Sequence, residues 1–213
     1  MNVFFMVFQV FLFVLALAID AFVCSFSYGV NRIKIPVKSV LLINAITLTL
    51  LLTGFLVANL IGGILPAGLV EWLPFFILFF LGFSKIFEGT IRSFIKKHGG
   101  NKDFKFSLFN LGFILQIYAD YESADSDNSK ELSAKEAIPL AIALGLDGLS
   151  VGLVVGLASV NVYLLLGMSF VVEFAAIMFG SILGTKLSKR VTLDFSVFSG
   201  LILVMLAFIN MLS

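Results

Sequence analysis

Long apolar runs, separated by short polar clusters, dominate the chain. A helix needs about 20 apolar residues to cross the hydrocarbon core. Six runs meet that length: 3–28, 37–65, 72–91, 137–159, 162–187 and 193–212. Each is continuously apolar and far longer than a barrel strand, which argues for helices and against a transmembrane barrel. A further stretch, 104–119, is short and interrupted by Lys105, Asn110 and Gln116, so it reads as an interfacial or re-entrant piece. The pattern predicts an all-α membrane protein with six transmembrane helices.

The basic residues then set orientation. Arg32, Lys34 and Lys38 follow the first run. Arg92, Lys96, Lys97, Lys102, Lys105, Lys130 and Lys135 lie between the third and fourth, and Lys186, Lys189 and Arg190 between the fifth and sixth. The remaining loops and both ends carry none. Basic loops stay in the cytoplasm, so both termini are expected outside. Three helices on each side of the long loop then run in opposite senses. The expected organisation is a first three-helix repeat over 1–92, a cytoplasmic loop over 93–136 and a second, inverted repeat over 137–213.

Composition agrees: 60% of residues are hydrophobic and 13% charged. A soluble domain averages about 45–50% apolar and about 25% charged. A net charge of +1 offers no basic surface for nucleic acid. The single cysteine, Cys24, excludes an intramolecular disulfide. The first twenty residues lack a basic n-region and an A-x-A site, so no cleavable signal is expected.

Two aspartates interrupt this apolar background in matching contexts, Asp20 in Ala-Leu-Ala-Ile-Asp-Ala and Asp147 in Ala-Leu-Gly-Leu-Asp-Gly. A carboxylate at the bilayer centre costs about 2.5–3.5 kcal/mol on insertion scales. Heading two inverted halves, the pair can meet at one mid-membrane site, the usual place for cargo in inverted-repeat transporters. Cys24 shares a helix face with Asp20, and Ser150 shares one with Asp147. Carboxylates, hydroxyls and carbonyls suit Mg, Ca or Mn, whereas a thiolate suits a softer metal. Cys24 also fits as a small packing residue. His98, the one histidine, falls in the long loop, so a histidine zinc site is not expected.

Glu173 in the fifth run is a third interior acid, either a metal ligand, a proton carrier or a protonated packing residue. On the second run, Asn44 and Asn59 are better ligand candidates than the threonines, which back-bond to helix carbonyls. Lys85 and Glu88 stand one turn apart near the inner end of the third run. An ion pair that snorkels to the headgroups explains them, and the alternative is a cargo-handling inner mouth. Gly148, Gly152 and Gly156 form a small-residue stripe that permits close helix contact.

The long loop ends in an EF-hand-like pattern. Asp125, Asp127 and Ser129 take the first, third and fifth places, a Glu131 carbonyl the seventh, Ser133 the ninth and Glu136 the twelfth. Lys130 stands where glycine normally makes the turn. The pattern predicts a Ca²⁺ or Mn²⁺ loop; Ser133 and Glu136 equally predict a capping box at the start of the fourth helix.

Three motifs carry a family resemblance: Ile-Asp-Ala-Phe at 19–22, Leu-Gly-Phe-Ser-Lys-Ile-Phe-Glu-Gly at 81–89 and Gly-Leu-Asp-Gly at 145–148. They resemble the MntP manganese efflux family of the LysE superfamily. The inserted segment around Ala124–Asp127 and Ala134–Ala137 is most similar to the YtaF branch of sporulation membrane proteins. The resemblance implies Mn²⁺ as cargo, Asp20 and Asp147 as the intramembrane acids and Glu88 as the third-helix acid. One departure stands out. The pump branch has a glutamate seven residues before a glycine in its second helix, whereas here Thr47 precedes Gly54. Glu173 precedes Gly180 at the same spacing in the fifth helix, as if the carboxylate had crossed a pseudo-two-fold axis while facing the same cavity.

These features predict a plasma-membrane exporter of a divalent cation, with the inverted halves rocking to alternate access. Export opposes an inside-negative potential by about 4.6 kcal/mol per 100 mV, so proton coupling is expected. A sporulation-associated scaffold or metal sensor without transport is one alternative. A small amino-acid exporter is another, by superfamily analogy, with Lys85 as its deep base. No helix pairs a nucleophile with a base, so an enzyme is not expected. The expected partners are the metal, protons and the bilayer; a homodimer is open, and nucleic acid is not expected.

Overall fold

The computed structural model describes residues 3–87, 129–158, 160–187 and 196–212, nearly all of them helical. The helices are α1 (Val3–Val30), α2 (Val37–Gly62), α3 (Ala67–Ile86), α4 (Ala134–Leu157), α5 (Val162–Lys186) and α6 (Ser196–Leu212). The first five contain windows long and apolar enough to cross a membrane, and α6 is a shorter apolar helix within the described residues. The 104–119 piece lies outside the described residues. Large side chains such as Leu60, Ile64, Phe80, Val171 and Phe179 are exposed on the outer surface. In water that would be an aggregation hazard; against lipid it is the expected finish.

Local chemistry fixes the helix starts. Pro36 and Pro66 are the N-cap residues of α2 and α3. Pro66 lets α3 begin at Ala67, ahead of the apolar run that starts at Trp72. The Ser133–Glu136 capping box opens α4, and the Asn161 side chain accepts from the Leu164 amide at the start of α5. One isolated parallel bridge joins Lys34 to Glu131. Its backbone bonds, Lys34 N–H to the Lys130 carbonyl at 2.8 Å and Leu132 N–H to the Lys34 carbonyl at 2.9 Å, clasp the α1–α2 loop to the end of the long loop. The fully buried Leu132 anchors that clasp.

Every extensive helix contact joins the first three helices to the last three. α1 packs along α5, α2 along α4 and α3 against α6, with smaller contacts of α1 with α6, α3 with α4, α2 with α5 and α1 with α4. Exchanging α1, α2 and α3 with α4, α5 and α6 leaves this pattern unchanged.

Glycines set the close approaches. A Cβ on Gly54 would strike the Leu149 carbonyl oxygen and crowd the Leu153 amide. A Cβ on Gly180 would lie 2.6 Å from the Phe22 carbonyl oxygen and crowd the Phe26 amide. Gly82 and Gly200 face one another across α3 and α6, each abutting the other's carbonyl.

Two apolar clusters stack along the bundle. The first includes Val10, Phe13, Leu17, Leu51, Val151, Leu165 and Leu206. The second includes Ala21, Cys24, Tyr28, Ile43, Leu132, Leu140 and Ile177. Asp20 falls between Leu17 and Ala21, and Thr47 between Ile43 and Leu51. The polar layer is therefore sealed by apolar packing on both sides.

Candidate cation site

Three of the helix pairs each bring one charge to the polar layer. Asp20 comes from α1, Asp147 from α4 and Lys85 from the last turn of α3. The Lys85 ammonium bridges both acids, 2.5 Å from Asp20 Oδ2 and 2.8 Å from Asp147 Oδ2. Lys85 is only 3% exposed. This corrects the expectation that it snorkels to the headgroups: two carboxylates hold the ammonium inside the bundle. Glu88, its expected neighbour, lies outside the described residues. Ser199 Oγ, on α6, donates to Asp20 Oδ1 at 3.4 Å. The small cavity here is lined by Leu17, Leu81, Val151 and Leu203 beside the three charges.

The third acid sits one step away. Glu173, 5% exposed, receives a hydrogen bond from Thr47 Oγ1 at its Oε2, over 3.0 Å. The position that lacks the expected glutamate therefore touches the position that has one. A cavity of about 20 Å³ connects this pair to Asp20 and Gly148. That is room for about one water. Among the described residues, no three His, Cys, Asp or Glu side chains converge closely enough to hold a metal ion. The acids are instead engaged by Lys85, Ser199 and Thr47.

The other predicted ligands divide. Asn44 is fully buried, and its Nδ2 donates to the Phe170 carbonyl at 2.8 Å. Its Oδ1 has no partner, and neither does the Oγ of the buried Ser169. Cys24 belongs to the second apolar cluster and lines neither acid cavity. Ser150 Oγ donates back to the Leu146 carbonyl at 3.1 Å and also lines neither. Asn59 makes no contact with the polar layer in either lining. Sequence reasoning missed Ser199 and underrated Thr47. The signal for Ser199 was its place beside Gly200, in the helix that answers α3 and its Gly82.

In the loop, Asp125 and Asp127 lie outside the described residues. Lys130 adopts φ 64°, the left-handed turn that the EF-hand pattern requires at its place. The described remainder is otherwise committed. Ser129 Oγ donates to the Glu131 carbonyl at 2.9 Å. Glu136 Oε2 accepts from Ser133 N–H at 3.1 Å and from Ser133 Oγ at 2.8 Å. Ser39 Oγ donates to the Leu132 carbonyl at 2.7 Å. This half works as a helix cap and a clasp, and gives no support to a cation loop.

Comparison with known proteins adds the biological frame. The family described as "Putative manganese efflux pump" matches residues 65–212. The chain is 26% identical over 147 residues to "Probable sporulation protein YtaF" of Bacillus subtilis, covering 68% of this chain and 70% of that protein. No solved structure matches the chain.

Proposed function

The chain belongs to the manganese efflux pump family, a multi-pass metal exporter of the bacterial plasma membrane, and on that premise we propose that Asp20 and Asp147 form its cargo site, with Glu173 as a third acid. The observation that carries this reading is the meeting of the two partly buried aspartates at one point, held by a single buried cation. A site that binds one ammonium through two carboxylates has the charge to bind a divalent ion there. Mn²⁺ is the proposed substrate, and protons are its proposed counter-ions.

The halves are proposed to be inverted repeats. Their equivalent contacts support this. Asn44 bonds Phe170 and Thr47 bonds Glu173, each pair 126 residues apart. Residues on a two-fold axis touch their own counterparts in this way. Three helices per half then invert the second half relative to the first.

The contacts suggest that helix pairs, rather than halves, are the moving units. The halves share nearly all their packing, whereas the α1–α5 and α2–α4 pairs make fewer contacts with each other than within themselves. Asp20 and Glu173 ride on one pair, Asp147 and Thr47 on the other. Sliding these pairs past each other would open the polar layer to one side at a time. Nothing in this arrangement calls for an enzyme.

A metal-sensitivity panel in an exporter-deficient bacterium tests the reading. The wild type should restore growth in excess Mn²⁺, and Asp20→Asn and Asp147→Asn should not. The likeness to a sporulation protein favours one other reading, a membrane scaffold. A scaffold would tolerate both neutral replacements, so full rescue by the variants would overturn the transport site.

A further inference from the structure

We propose that Lys85 is a tethered counter-cation that occupies the dicarboxylate site when no metal is bound and that cargo must displace. This deepens the site proposed above and rests on it.

The geometry supports competition rather than assistance. Lys85 Nζ contacts one oxygen of each aspartate, at 2.5 and 2.8 Å. That is where an ion bridging the two carboxylates would sit. Hard divalent ions bind carboxylate oxygens at about 2.0–2.6 Å, so ammonium and metal cannot share the position. The lysine also comes from one side only. Leu203 lines the same cavity from α6, the helix that faces α3, and brings no charge.

Charge balance gives the tether a purpose. Two carboxylates and one ammonium leave the layer at −1, counting those three groups alone. Bare carboxylates in an apolar layer are costly, and an ion pair that loses one partner leaves an uncompensated charge. Lys85 therefore lets the metal-free protein hold both acids in a largely apolar layer. A monovalent ion that displaced it would gain no charge and would face a competitor held at an effective concentration on the order of millimolar or more. A divalent ion gains one unit of charge by the exchange. Lys85 thus sets a selectivity threshold against Na⁺ and K⁺. Its flexible stem lets it withdraw without leaving α3.

Mn²⁺ binding to the full chain in detergent, measured by titration calorimetry, tests this. Lys85→Met should bind Mn²⁺ at least about tenfold more tightly than the wild type, because the competent state no longer has to be freed. Lys85→Ala should bind tightly too, and methylammonium chloride at millimolar levels should weaken that binding while leaving the wild type unchanged. Equal or weaker binding by Lys85→Met, with binding lost in Asp20→Asn, would overturn the tethered cation and leave the site intact. Binding unchanged in Asp20→Asn would instead overturn the site. Should Lys85→Met fold poorly without metal, thermal unfolding reads the same competition. Its Mn²⁺-dependent rise in Tm should exceed that of the wild type, and a smaller or equal rise counts against the proposal.

Discussion

Thr47 and Glu173 make the sharpest single-residue statement. A hydroxyl and a carboxylate 3.0 Å apart occupy positions that the proposed repeat makes equivalent, and both line one cavity. Glu173→Gln is expected to abolish export as fully as Asp20→Asn, measured as Mn²⁺ tolerance in the exporter-deficient strain. The double exchange Thr47→Glu with Glu173→Thr should recover it, since it returns one acid and one hydroxyl to the same contact. Export undiminished in Glu173→Gln would remove the third acid from the site. The aspartates were legible in the sequence because an acid in an apolar run has nowhere to hide. Lys85 was misplaced because Glu88 offered a satisfying partner one turn away. Its actual partners lie 65 and 62 residues distant, and no local pattern encodes them.

At the level of elements, backbone contact sets what each helix tolerates. Gly180 lies against the Phe22 carbonyl, so a side chain there must push α5 off α1. Gly180→Leu is expected to destabilise the protein by about 1–3 kcal/mol or more, seen as a lower Tm in detergent and reduced membrane yield. Gly68, whose Cβ would meet nothing within 4 Å, is the control, and Gly68→Leu should leave Tm nearly unchanged. A similar loss at both sites would show that helix propensity, not contact, governs the effect. The helices were readable from length and apolarity alone. Their partners were not. The stripe of Gly148, Gly152 and Gly156 announced a close contact, but only the fold shows that α2 fills it, through Leu51 and Phe55.

For the molecule as a whole, the polar layer between two apolar clusters is the barrier that transport must breach. Everted vesicles carrying the protein should accumulate Mn²⁺ when their lumen is acidified. Dissipating the pH gradient should reduce the initial rate about tenfold, if protons return through the same acids. Accumulation indifferent to the gradient would remove proton antiport from the proposal and leave metal export in place. The apolar runs made the described helices legible. They could not show that the two halves share one core, because hydropathy describes how each helix meets lipid and not which helix it meets.

That shared core bears on ancestry. Among the described residues, few contacts lie inside either half, which leaves a three-helix fragment little of its own to fold around. Under the proposed inverted repeat, its natural partner is another such fragment lying upside down in the bilayer. On that proposal a precursor of half this length would have been an obligate pair, inserted in both directions, before fusion joined the two copies through the long loop. The chain cut within that loop should behave as its own reconstruction of that state: the two pieces should be degraded when expressed singly and recover Mn²⁺ tolerance when expressed together.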